Sequence, residues 1–376
     1  MEREELAAWL RLTLTPGVGD RSARQLLAAF GLPRAIFEQV AAALEQVVAH
    51  SQAQALLVEP DGLASRLQAV TDWLSAAEPP GSRHVVTLGD AAYPPGLLNI
   101  ADPPVLLYMQ GTLPSQWPAA IAVVGSRNPT PQGLLNAREF ARSFAQSGLT
   151  VVSGLALGVD GAAHEGALDG AAAGALATIA VVGTGLDRVY PKQHLALAHR
   201  IVEHGLVVSE YPLGTPPLAP NFPKRNRIIS ALSQGTLVVE AALKSGSLIT
   251  ASQAAEQGKD VFAIPGSIHS PQSRGCHALL KQGAKLVESA QDVLEELRLP
   301  EGPRHRALAD TDVDDEIAPP EDSLLNALGF DPVSLDALVA RTGIAPADLQ
   351  ARLLQFELQG DVARLPGGLF QRIAAG

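Results

Sequence analysis

Residues 221–252 read NFPKRNRIISALSQGTLVVEAALKSGSLITAS. Three cations, Lys224, Arg225 and Arg227, fall within four positions of one another, and the apolar pair Ile228 and Ile229 follows them. A β-branched run at 237–239 then opens into a turn built on Gly246 and Ser247. In an open α/β sheet, ligands bind outside the carboxyl ends of the strands, where such small-residue turns lie. Clustered cations at that edge suit a phosphorylated ligand. The stretch predicts an α/β fold with a phosphate-facing edge.

The same unit recurs outward from this stretch. Apolar runs at 121–124, 150–152, 178–182, 206–208, 237–239 and 261–264 are each followed by a turn of small residues and a helical pattern. Continuous apolar strands alternating with helices indicate a parallel sheet covered on both faces. The expected fold is therefore an extended Rossmann-like, doubly wound, mostly parallel sheet spanning residues 79–297. Its first part, 79–118, is proline-rich with two short strand-like pieces at 84–88 and 105–109.

The turns GSRNPTPQG, SGLALGVDGAAH, GTGLDRVYPKQH, SEYPLGTPP, EAALKSGS and PGS all fall at one sheet edge. There, Gly125, Ser126 and Arg127 offer backbone amides and a guanidinium to one phosphate. Lys192 follows Tyr190 and Pro191 on a stiffened turn, and Ser153, Gly154, Gly246 and Ser247 permit close backbone approach. Phe222 suits stacking on a base. Each has a plainer reading: a surface ion pair for Arg127, an ordinary solvated lysine for Lys192, core packing for Phe222. For Arg225, Asn226 and Arg227 the plainer reading is a helix-start cluster paired with Glu210 or Glu240. Several cations spread along one edge suit a track of phosphates better than one nucleotide.

The flanks differ in character. Residues 1–78 read as a small helical domain, SAM/helix-hairpin-helix-like, in which LTPGVGDRSARQLLAAFG places Gly17 and Gly19 ahead of a helix. That turn suits either phosphate approach or simple packing. Residues 298–322 form an acidic, proline-flanked linker, and 323–376 give short amphipathic helices and a strand–turn–strand close, a winged-helix-like pattern. The last segment carries four cations against five acids, poor for gripping duplex, so a protein-contact role is favoured there.

Bulk composition bounds the rest. The 376-residue chain has a formal net charge of −11, yet residues 119–297 are neutral overall, with the excess acid in the flanks. A local positive patch is compatible with that distribution. Cys276 is the only cysteine, which leaves no intrachain disulfide or cysteine metal cage. The acidic start and the absence of a long apolar run give the expectation of a cytoplasmic protein without a membrane segment. No GxxxxGK[ST] loop or G-x-S-x-G elbow occurs, GTGLDR at 183–188 lacks the third dinucleotide-loop glycine, and His164-Glu165 is not continued as a zincin helix. The expectation is a protein that is not an enzyme and carries no cofactor or metal.

Taken in order, GSRNPTPQG, SGLALGVDGAAHEGAL, GTGLDRVYPKQH, SEYPLGTPP, NFPKRNRIISALSQGTLVVEA, KSGSLITASQAAEQGKDVFAIPGS and GCHALLKQGAKLV resemble the DNA-processing DprA (Smf) family over residues 93–297. The resemblance implies sequence-independent binding and protection of single-stranded DNA, dimerisation, and loading of the RecA recombinase in natural transformation and recombination. It assigns DNA contacts to Arg127 and Lys192, with Lys224, Arg225, Asn226 and Arg227 beside them. It assigns the homodimer to residues 275–286, with His277, Leu280 and Leu286 as contacts. The alternative is a phosphoribohydrolase-like enzyme on the same fold, whose signature is PGGxGTxxE. Here Gln234, Gly235 and Thr236 lack the preceding PGG, and Glu240 stands one residue late, which on a strand reverses the face.

Overall fold

The computed structural model describes residues 1–76, 82–297, 323–330 and 332–373. The expected linker at 298–322 lies outside them. The chain opens with six helices, α1 (Arg3–Leu14), α2 (Asp20–Phe30), α3 (Pro33–Phe37), α4 (Ala41–Leu44), α5 (His50–Leu57) and α6 (Leu63–Ser75). Then come β1 (Arg83–Thr87), β2 (Leu106–Gly111), β3 (Ala120–Val124), α7 (Pro131–Gln146), β4 (Thr150–Ser153), α8 (Val159–Gly170), β5 (Thr178–Val181), α9 (Leu195–His204) and β6 (Leu206–Ser209). The second half of the sheet domain adds α10 (Asn221–Leu232), β7 (Gly235–Val238), α11 (Ser247–Glu256), β8 (Asp260–Ala263), α12 (Arg274–Lys281), β9 (Lys285–Leu286) and α13 (Ala290–Glu296).

The nine strands form one sheet in the order β1-β2-β6-β5-β4-β3-β7-β8-β9. Pairing is parallel from β6 to β9 and antiparallel only where β1 and β2 extend the β6 edge. The strands β3 to β7 are fully buried along their length, as continuous apolar runs require when both faces are covered. One face packs Ala122, Val124 and Val238 against Ile228 and Ile229 of α10 and Ala251 of α11. The other packs Ile121, Val123 and Leu237 against Phe140 and Phe144 of α7 and Val159 of α8. The chain runs outward from β3 through β4, β5 and β6, then returns to β7 on the opposite side. The crevice between the ends of β3 and β7 is therefore the switch point of the sheet.

The two strand-like pieces of the proline-rich part are thus β1 and β2, which extend the sheet. The alternation along β2 explains a second feature. Leu107 and Met109 join the sheet core, whereas Leu106 and Tyr108, pointing the other way, are buried under Leu6, Trp9 and Leu26 of the helical module. The module shares a core with the sheet.

Within that module, Gly17 takes a left-handed φ of 77° in the turn between α1 and α2. The turn is closed by packing: Gln52 donates to the Gly17 carbonyl at 2.6 Å. At the start of α2, Asp20 faces Lys224 and Arg227 at 3.6 Å each. Of the two readings of this turn, packing is the one its contacts match.

One buried polar chain links α8 to the sheet. His164 of α8 is fully buried, with Nδ1 2.7 Å from Thr178 Oγ1. Thr178 gives its own hydroxyl proton to the Val151 carbonyl at 2.7 Å, so Nδ1 is the protonated nitrogen. Burial, then the positive potential of His194 and Arg225, pushes the His164 pKa down to about 3 and keeps the ring neutral.

The C-terminal segment contains α14 (Ser323–Leu328), β10 (Val333–Ser334), α15 (Leu335–Thr342), α16 (Pro346–Gln359), β11 (Val362–Leu365) and β12 (Leu369–Arg372). Three strands pair as β10-β12-β11. Gly343 ends α15 in the left-handed region at φ 69°, and Pro346 opens α16. Leu324, Leu338, Leu349, Leu353 and Phe370 form its core. This is a winged helix. Among the described residues, no helix is long and apolar enough to cross a membrane.

Candidate nucleic-acid interface

A groove of about 520 Å³ lies at the switch point, lined by residues from the β3–α7 turn, α10 and the β7–α11 turn. It brings together Gly125, Ser126, Arg127, Phe222, Arg225, Asn226, Gly246 and Ser247 of the expected set. Helical periodicity explains the α10 contribution. Phe222, Arg225, Asn226 and Ile229 share one face of the helix and form a wall, while Lys224 and Arg227 lie on the face turned toward the helical module.

At the outer rim, Arg127 is exposed, with its Cζ 5.6 Å from the centre of the Phe222 ring. Tyr190 packs against the same ring, its ring centre 5.5 Å from that of Phe222 at an interplanar angle of 41°. The Tyr190–Pro191 peptide is cis, and exposed Lys192 follows it. Arg127, Phe222, Tyr190 and Lys192 thus form a ledge in which two stacked aromatics lie between two cations, leading away from the groove. Lys244, on the β7–α11 turn, adds an exposed cation to the opposite rim. Among the described residues, no ion pair engages Arg127, Lys192 or Lys244.

The floor is different. Arg225 is buried with only 4% of its side chain exposed, donates to the Val181 carbonyl, and lies 4.0 Å from Asp160, itself buried. Asp160 also accepts from the amides of Gly154 at 3.2 Å and Ala156 at 3.3 Å. Burial works against both charges: it raises the Asp160 pKa in spite of Arg225, and lowers that of Arg225 to about 10. Gly154 is small because the Arg225 guanidinium occupies the space a Cβ would need. Its neighbour Ser153 is fully buried and donates to the Val123 carbonyl at 2.7 Å. The close approach expected at Ser153 and Gly154 is made by the protein's own arginine.

Arg227 is likewise committed. Its two terminal nitrogens meet both oxygens of Glu210 at 2.7 Å, and its Nε lies 2.9 Å from Asp102. Burial disfavours the Glu210 charge, yet the Arg227 bonds and Lys224 outweigh it and hold that carboxyl below its ordinary value. The expectation that Arg225 and Arg227 present free cations at the edge is corrected. Both are buried, and for Arg227 the Glu210 partner is the alternative that the sequence left open. Asn226 spans the groove, donating to the Gly246 carbonyl at 3.3 Å. At the GSR turn the Ser126 amide donates to the Glu240 carbonyl at 2.7 Å and is not free to meet a phosphate, whereas the Arg127 side chain is exposed. Gly125 is obligatory, since a Cβ would stand 2.7 Å from Val159 and 2.9 Å from the Glu240 carbonyl oxygen.

Glu240 itself does not line the groove. Its carboxylate accepts from the Thr130 amide at 2.9 Å and hydroxyl at 2.6 Å, at the start of α7. The nearest counterpart of the hydrolase carboxylate is engaged in holding a helix start. The sequence reading missed Lys244, Tyr190, Asn128 and Gln272. The first two carried a signal: a lysine inside EAALKSGS, and an aromatic before the proline that precedes Lys192.

Comparison with known proteins fits this architecture. The family described as DNA recombination-mediator protein A matches residues 84–298, and the DprA winged helix domain matches 304–368. The chain belongs to the DprA (Smf) family. The Smf protein of Escherichia coli K12 is 43% identical over 293 residues, covering 76% of this chain and 77% of that protein. Among DprA structures, that from Streptococcus pneumoniae superposes with a TM-score of 0.66 at 36% identity, over 80% of this chain and 99% of that one. A DprA structure from Helicobacter pylori, described for its single-stranded DNA binding mode, gives a TM-score of 0.51 at 32% identity, over 57% of this chain and 95% of that one. The family match therefore spans both the sheet domain bearing the groove and the winged helix.

Proposed function

We propose that this chain binds single-stranded DNA without sequence preference, along the switch-point groove and the ledge beside it. The observation that carries the reading is a stacked aromatic pair, Phe222 and Tyr190, flanked by exposed cations free of ion pairs among the described residues, Lys244 and Arg127 on one side and Lys192 on the other. Base–aromatic stacking accepts any base, and separated cations follow a phosphate track. Arg127, Lys192 and Lys244 meet phosphates, Phe222 and Tyr190 stack, and Gly246 and Ser247 shape the far wall. Arg225, with Asp160, and Arg227, with Glu210, fix α10 behind them. The described DNA binding of the H. pylori relative supports this reading.

In the wider role, the protein acts without catalysis in the cytoplasm, as a homodimer that protects incoming strands and loads RecA during transformation and recombination. Family membership supports that role. For the homodimer, α12 presents half-buried His277 and Leu280, and Leu286 on the edge strand β9 is 54% exposed. An exposed apolar side chain on a sheet edge calls for a partner. Leu280→Glu is expected to sediment as a monomer where the parent sediments as a dimer; an unchanged mass would remove this surface.

Fluorescence anisotropy with a dT oligonucleotide, the matching duplex and a nucleoside monophosphate tests the main reading. The single strand is expected to bind tightest, with log K falling by about 0.7 per neutralised phosphate against log salt. Preference for duplex, or release of free base from the monophosphate, would favour the other readings.

A further inference from the structure

Lys224 stands on the first turn of α10, next to Phe222 and Pro223, which line the groove. Its side chain is 49% exposed, and its Nζ lies 3.3 Å from Glu210 and 3.6 Å from Asp20. Glu210 has less need of it, because Arg227 already meets both of its oxygens at 2.7 Å. Asp20 comes from the helical module and lies 3.6 Å from both Arg227 and Lys224, longer than a hydrogen bond but within ion-pair range, and of the two only the half-exposed lysine is free to turn elsewhere. Three carboxylates, Asp20, Asp102 and Glu210, thus share two cations, and Lys224 is the cation with half its surface in water.

We propose that Asp20 withholds Lys224 from the bound strand, so that the docked helical module limits how many phosphates the groove edge holds. A long lysine stem reorients at small cost, and a phosphate offers the ammonium the same kind of partner that Asp20 does. The module then acts as more than packing. While the Asp20 charge is in place the strand meets one cation fewer, and when that charge is removed Lys224 becomes available beside Phe222. This inference rests on the single-stranded DNA reading.

The test uses the full chain and a dT oligonucleotide over a salt series. Asp20→Asn keeps the shape and removes the charge. It is expected to bind roughly three- to tenfold tighter, with the slope of log K against log salt steeper by about 0.7, the value for one added phosphate. In a Lys224→Met background the same substitution is expected to change neither quantity. An equal gain in that background would show a general field effect and overturn the inference. Lys224→Met alone is expected to leave the slope unchanged; a loss of about 0.7 would place Lys224 on the strand already and overturn it too. That single variant leaves Asp20 intact, so it decides the matter even if Asp20→Asn unfolds the module. Failure of the unsubstituted chain to bind dT would remove the DNA reading itself, whereas binding without any gain in Asp20→Asn would remove this inference alone.

Discussion

Arg127→Ala is expected to weaken binding of a dT oligonucleotide by about 10- to 100-fold while leaving the melting curve in place. A hydrogen bond to a charged group contributes about 1.5–3 kcal/mol, which sets the scale of the loss. The guanidinium also lies 5.6 Å from the Phe222 ring, so its removal takes away a cation–π contact that steadies the ring on which a base stacks. The salt slope should fall by about 0.7, the signature of one phosphate contact rather than of a disturbed fold. Stability should hold because Arg127 is exposed and no ion pair engages it among the described residues. Anisotropy over a salt series, with circular dichroism on the same samples, reads both quantities. A drop in melting temperature with an unchanged slope would return Arg127 to a structural role.

The strands could be read from sequence because burial on both faces leaves runs such as IAVV and VFAI with no polar position to confuse the period. The carboxyl edge followed from where such runs end; the strand order then places the switch point between β3 and β7, where eight of the expected residues meet. What stayed hidden was pairing across long separations. Asp160 and Arg225 are 65 positions apart, and nothing local marks either as the other's partner. A cation cluster on a helix reads the same whether it faces solvent or three carboxylates. Only the 3.6-residue period, laid on a helix whose two sides meet different neighbours, separates Arg225 and Asn226 from Lys224 and Arg227. β9, at two residues, is too short to carry any alternation. The docking of the helical module depends on Leu106 and Tyr108, whose neighbours in sequence point into a different core.

The buried pair under the groove gives the largest effect on stability. Asp160→Ala is expected to destabilise the sheet domain by about 3–5 kcal/mol, because it leaves the Arg225 guanidinium buried without its counter-charge. Arg225 has a pKa of about 10, so at neutral pH it remains protonated and cannot escape the cost by losing its proton. The amides of Gly154 and Ala156 lose their acceptor in the same variant. A double variant, Asp160→Leu with Arg225→Met, removes both charges together and should recover most of the loss, since apolar replacement of a buried ion pair is often neutral. Urea unfolding followed by circular dichroism measures this. A single variant within about 1 kcal/mol of the parent would show that the pair, 4.0 Å apart, does not hold the Arg225 charge. The same double variant separates floor from grip. If Arg225 serves to position α10, the double variant should keep its dT affinity within about threefold, because a well-packed floor still presents Phe222 and leaves the exposed phosphate contacts intact. A loss as large as that of Arg127→Ala would instead mean that a buried guanidinium reaches the phosphate through the groove.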